Sequence, residues 1–459
     1  MEFSDDGTVT FDNALSTFAR LVSARFGERA LDDHRFIRDV DGRLTFLLLT
    51  PADSETVRSL DAESRDTLGS YAAVPAVAAA GDLLDPSLAD DFAVQELVNV
   101  AAPGADPEWR RVAVVDRRIV GQDWAAGWRA PIPGVPPILA FHSIKGGVGR
   151  SSAVAVLAAH QAERGRNVLV VDLDLEAPGI GALLLAREDL PPLGVLDWLV
   201  ETSLRPDAEG ELIQRCVGQS QLTRGRGAVD VLPALGRSSG EAPWTVVPKL
   251  GRGFIDHPGL GQSHLERVRR LVDLACSEGT RTYDVVLVDA RAGFAESSAA
   301  ALLGLGASVL CCGVDGPATQ DGYRFLFSYL AGLDDAPGQH DPTDRNWRDR
   351  FRMVHAKARP GAGARRAFRD RMYEVFVETV YDADYAEYLG SDQLGTAAPF
   401  SFDYDDEDAP HWAWPIAFDL ALAELDPRAH PDQLTPEFVD RAFGSFLTRA
   451  DRLIGDSVG

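Results

Sequence analysis

The chain has 459 residues, more than one compact core usually holds, so two domains are expected. Apolar residues make up 45% and charged residues 25%, as in ordinary globular proteins. No apolar run reaches the ~18 residues of a membrane helix, and the acidic, polar start from Met1 to Thr8 is not a secretory signal. The formal net charge of -25 argues against broad DNA binding, which depends on Lys and Arg neutralising phosphates.

From the N-terminus, Phe11, Leu15, Phe18, Leu21, Val22 and Phe26 recur at helical spacing and predict an amphipathic opening helix. Residues 35–37 and 44–49 flank Asp39-Val40-Asp41-Gly42-Arg43, which reads as two strands around an Asp-Gly turn. Residues 55–79 read mostly as helix, and 112–115 as a buried strand. No chemical motif stands out here. Residues 1–130 are expected to be a small α+β module, an adaptor or dimerisation unit. The stretch 131–137 holds Pro131, Pro133, Pro136 and Pro137 and reads as a linker.

From residue 138 to 459 the pattern changes. Apolar runs at 138–141, 168–171, 229–232, 285–288, 309–312 and 351–354 alternate with helical stretches. Continuous apolar runs fit strands buried on both faces, with the helices as crossovers. The expected fold is a doubly wound, mostly parallel α/β sheet. Cys216, Cys276, Cys311 and Cys312 have no C-x-x-C spacing and read as free thiols in a reducing cytoplasm. The acidic run from Asp403 to Asp408 reads as a solvated loop, and the amphipathic stretch 436–456 as a helix packed on the core rather than a membrane anchor.

The chemistry concentrates after the first apolar run, in Lys145-Gly146-Gly147-Val148-Gly149-Arg150-Ser151-Ser152. A strand, a glycine-rich turn and a helix start follow one another. The glycines let backbone N–H groups turn inward around phosphate oxygens, the helix N-terminus favours negative charge, and the Ser151 hydroxyl is placed to ligate Mg²⁺. Lys145 is also one of only three lysines, with Lys249 and Lys357, among 45 basic residues. Further on, Val168 to Val171 lead into Asp172-Leu173-Asp174. Alternation along an extended backbone puts both carboxylates on one side. Val285 to Val288 lead into Asp289, a carboxylate at a strand end as in a Walker B arrangement.

The loop resembles the deviant Walker A motif of the ParA/MinD family, K-G-G-x-G-K-[ST]-[ST], and Asp172, Asp174 and Asp289 follow in the family's order. The resemblance covers residues 138–360 and implies a P-loop NTPase fold binding ATP and Mg²⁺. By it, residues 145–152 and Asp172 are nucleotide-binding, and Ser151 and Asp289 hold the metal. Lys145 is the signature lysine that reaches the partner's phosphates in an ATP-dependent homodimer. Asp174 orients the attacking water. Arg150 stands where the family has a lysine on the β and γ phosphates; Arg keeps the charge but not the point geometry, which puts hydrolysis in question. The segment 351–360 sits where the family has its base-contacting loop. The resemblance implies a slowly hydrolysing, nucleotide-switched ATPase acting on a protein partner. Alternatives are a non-hydrolysing nucleotide-binding scaffold, a ParA-like DNA-partition ATPase, a MinD-like membrane switch, and a tyrosine autokinase, for which Tyr373, Tyr381, Tyr385 and Tyr388 cluster far from the chain end.

Overall fold

The computed structural model describes residues 8–456 apart from 84, 92, 119, 223–225, 257–261, 280, 335–346, 383–398 and 423–424; Tyr385 and Tyr388 therefore lie outside the described residues. The chain divides into two compact units. One holds the described residues up to Gly127 together with those from Tyr329 to Asp334; the other holds the rest.

The first unit opens with the helix Phe11–Phe26, which buries Ala14, Leu15, Phe18, Ala19 and Val22 along one stripe. Strands β1 (Arg35–Arg38) and β2 (Leu44–Leu48) form the expected antiparallel hairpin. Asp39 Oδ1 accepts the Asp41 and Arg43 N–H groups, and Gly42 takes positive φ at the turn. The stretch 55–79 is not one helix. The helix Ser54–Leu68, capped by Asp53, stops at Gly69 (φ 55°), and β3 (Ala72–Ala79) follows, parallel to β2. Asp61 Oδ1 accepts the Ala76 and Val77 N–H groups. The alanines of β3 suit a helix by propensity; edge pairing in the sheet overrides it, and Pro75 fits an edge strand. Strands β4 (Val94–Asn99) and β5 (Trp109–Asp116) pair antiparallel and complete a sheet of order β3-β2-β1-β5-β4.

The second unit carries the larger sheet. Its strands are β6 (Ile138–Ser143), β7 (Val168–Asp172), β8 (Gly218–Gln219), β9 (Val229–Leu232), β10 (Val285–Asp289), β11 (Ser308–Gly313), β12 (Phe351–Ala358) and β13 (Trp414–Ala417). They lie in the order β13-β12-β11-β6-β10-β7-β9-β8. All neighbours are parallel except the short β8 against β9. This is the doubly wound, mostly parallel α/β sheet. The six apolar runs are all strands, and β6, β7, β9 and β10 are buried at every position. The proline-rich stretch packs on this unit: Pro131 lies against Gly306, and Ile132 is buried.

The helix Pro436–Asp456 packs on the sheet as its apolar stripe predicts. Val439, Ala442, Phe443, Phe446, Leu447, Ala450 and Ile454 are buried, and Phe446 meets Phe141 and Trp414. Among the described residues no helix is long and apolar enough to cross a membrane. Cys216, Cys311 and Cys312 are buried free thiols, and Cys276 is half-buried.

Candidate nucleotide site

The site forms where three central strands end together. Register sets Asp289 opposite both Phe141 on β6 and Asp172 on β7, so the loop after β6 and the two carboxylates share one sheet edge. In open α/β sheets this crevice at the carboxyl ends, where the strand order reverses, is where ligands bind. Strand β6 has β10 on one side and β11 on the other, and the chain leaves it through the glycine-rich turn into the helix Arg150–Glu163.

Gly147 (φ 73°) and Gly149 (φ 98°) take left-handed conformations that bend the loop into the helix. A Cβ on Gly146 or Gly147 would meet nothing within 4 Å; the loop faces open space. A cleft of about 420 Å³ lies over it, lined by the loop, Asp174, Ala177, Lys357, Ile416 to Asp419 and Leu422, a size usual for small-molecule sites. Val148 points inward and is buried. Lys145 is exposed, and its side chain makes no hydrogen bond or ion pair among the described residues.

Behind the loop lies a charge network. Ser151 Oγ donates to Asp289 Oδ2 at 2.5 Å. Arg150 is buried. Its Nε donates to Asp289 Oδ1 at 2.5 Å, one terminal nitrogen to Asp174 Oδ2 at 2.8 Å, and the other to Ser143 Oγ at 3.3 Å. Arg291 donates to Asp174 Oδ1 at 2.9 Å and pairs with Glu176 at 2.5 Å. Asp172 Oδ1 accepts the Asp174 N–H, while Oδ2 is buried without a hydrogen-bond partner among the described residues. Burial, then the neighbouring Asp289 charge, holds the Asp172 carboxyl well above the usual carboxylate range. Burial also raises Asp289, opposed by Arg150. His142, buried beside Arg150, is pushed down to about 4 mainly by burial, and its Nε2 lies 3.0 Å from the Gly293 carbonyl.

The structure thus gathers residues 145–152, Asp172, Asp174 and Asp289 into one site. It differs from the resemblance at Arg150. Arg150 lines the cleft, but its guanidinium directs donors onto two carboxylates, where the family's lysine is expected on phosphate. The reason is its shape: a planar fork suits two carboxylates on adjacent strand ends. The sequence reading passed over Ser143, Arg291 and the Ile416–Leu422 wall. Arg291 lies two residues after Asp289, and that spacing could have drawn attention to it. The wall had no signal, because β13 is short and lies far along the chain.

A parallel sheet whose central strand runs through a glycine turn into a buried helix, with a serine hydroxyl on a strand-end aspartate, defines a P-loop NTPase α/β fold. No protein-family model matches this chain, and no curated protein is similar to it. Among solved structures, it is similar to pNOB8 ParA bound to nonspecific DNA: 15% identity, 71% of this chain and 99% of that one, TM-score 0.41. The Pyrococcus furiosus cell division ATPase MinD shares 18% identity over 69% of this chain and 99% of that one, TM-score 0.40. Cobyrinic acid a,c-diamide synthase from Mycobacterium smegmatis with bound ADP and magnesium shares 19% over 43% and 68%, TM-score 0.30.

Proposed function

We propose that this chain binds ATP with Mg²⁺ at residues 145–152 and is a slowly hydrolysing, nucleotide-switched dimeric ATPase of the cytoplasm. The convergence of the open glycine loop, the helix start and the Ser151–Asp289 pair on one cleft carries this reading. The loop N–H groups and the helix N-terminus receive the phosphates. Ser151 and Asp289 suit Mg²⁺: both are hard oxygen donors, they already touch, and Asp289 sits on a rigid buried strand. An ion held by Ser151 and Asp289 would neutralise phosphate charge. Lys145 is exposed and unengaged, as a residue serving the partner's site must be. Asp174 orients the attacking water, and the first unit couples the ATP state to a protein partner. The charge of -25 and the docked C-terminal helix favour a protein partner over DNA or a membrane.

One observation favours a second reading, a non-hydrolysing nucleotide-binding scaffold. Arg150 and Arg291 together occupy both oxygens of Asp174, the carboxylate that hydrolysis needs. Phosphate release from Mg-ATP, with sizing of the same sample with and without ATP, separates the two. Slow turnover with ATP-dependent dimerisation, lost in Lys145→Ala, is expected. ATP binding without turnover selects the scaffold, and no binding rejects both readings.

A further inference from the structure

We infer that Lys357 is a phosphate-contacting lysine of this site, supplying from β12 the point charge that position 150 lacks; this rests on the nucleotide reading above. The cation at the lysine position of the loop, Arg150, is committed elsewhere. Arg150 directs its donors to Asp289, Asp174 and Ser143, and withdrawing it would leave Asp289 and one oxygen of Asp174 without a counter-charge.

Lys357 reaches the loop from the opposite wall of the cleft. Its Nζ donates to the Gly147 carbonyl at 2.6 Å, and its Cε lies 3.9 Å from where a Cβ on Gly149 would stand. An ammonium has three donors, so two remain for phosphate oxygens in the cleft that Lys357 lines. It makes no ion pair among the described residues, so no carboxylate competes for it.

The backbone is shaped to deliver it. Among the described residues, Lys357 is the one non-glycine with positive φ (52°), and the pairing of β12 with β13 shifts register between His355 and Ala358. Strained residues at irregular strand ends mark places where a side chain is re-aimed. Residue choice agrees. Lysine is used three times in a chain with 45 basic residues, so this position holds a compact ammonium where a planar fork is the norm. The donors that Arg150 commits to carboxylates are replaced at the cleft from another strand.

Titration calorimetry of the full chain with ATP, ADP and AMP, on wild type, Lys357→Met and Lys357→Arg, tests this. The melting temperature of each nucleotide-free protein is measured alongside. Lys357→Met is expected to weaken ATP and ADP by about ten-fold or more, as for one lost charge-assisted hydrogen bond, and AMP much less. Lys357→Arg is expected to recover part of the loss, with nucleotide-free melting unchanged. Unchanged ATP affinity in Lys357→Met overturns the inference while leaving the nucleotide reading intact. An equal loss for all three nucleotides with lowered nucleotide-free melting also overturns it, because Lys357 is then only a staple on the loop. Wild type that binds none of the three removes the nucleotide reading itself.

Discussion

Both units bury an arginine against carboxylates, and the two networks are balanced differently. In the five-stranded sheet, Arg38 donates to both oxygens of Glu96 at 2.6 and 2.8 Å and lies 3.8 Å from Asp116. Asp116 has a second partner in Arg118. Two cations meet two anions there, and Glu96 keeps about a third of its surface in water. At the carboxyl ends of the eight-stranded sheet, Asp174, Asp289 and Glu176 pair with Arg150 and Arg291, and among the described residues Asp172 lies beside them without an ion pair. One Asp172 oxygen has no hydrogen-bond partner among the described residues. The first network closes on itself and serves the fold. The second sets more carboxylates than cations beside an open cleft, an arrangement that costs stability and is frequent at binding sites.

The largest effect that sharpens this contrast follows removal of Arg150. Arg150→Met leaves Asp289 and one oxygen of Asp174 without a counter-charge, and the second unit is expected to lose about 3–5 kcal/mol. Chemical denaturation followed by a probe in that unit measures it. Adding Asp174→Asn in the same chain should recover part of the loss, since fewer charges then need a partner. No recovery would mean that Arg150 acts by packing alone.

A somewhat smaller effect concerns buried histidines. His264 is fully buried, with Nδ1 2.9 Å from the Gly253 carbonyl, and burial lowers it from 6.5 to about 4. His34 in the first unit is also lowered, less deeply buried. The unfolded chain takes up a proton near pH 6.5 that folded His264 refuses until about pH 4, so stability present above pH 6.5 is lost as pH falls through that window. The full shift is worth on the order of 3 kcal/mol. His264→Gln should reduce the slope of stability against pH in that window by about one proton. An unchanged slope would show that His264 is protonated in the fold.

Much of the larger sheet was legible because parallel strands covered on both faces read as unbroken apolar runs. Ser151, Asp174 and Asp289 were legible because strand ends and a glycine loop have fixed spacing. Less legible was whatever depends on distant partners. Ala72–Ala79 reads as helix until its neighbour β2 is known, and Val94–Asn99 carries alternating polar residues with no turn motif to mark it. Arg150 stood at the right position, but its direction is decided by carboxylates 24 and 139 residues away. Lys357 was visible only as a rare residue type; that it reaches Gly147 is a property of the fold.

The smallest effect tests the balanced network by the same surgery. Arg38→Met removes the fork on Glu96, but Asp116 keeps Arg118 and Glu96 can turn to water. The cost should therefore approach that of a charged hydrogen bond, about 2 kcal/mol, below the loss from Arg150→Met, and Glu96→Gln in the same chain should return little. The two arginines are thus expected to respond unequally to neutralising their partners. If Arg38→Met costs as much as Arg150→Met and is rescued as strongly, burial rather than surplus charge governs both networks. The second would then lose its claim to be built around a ligand.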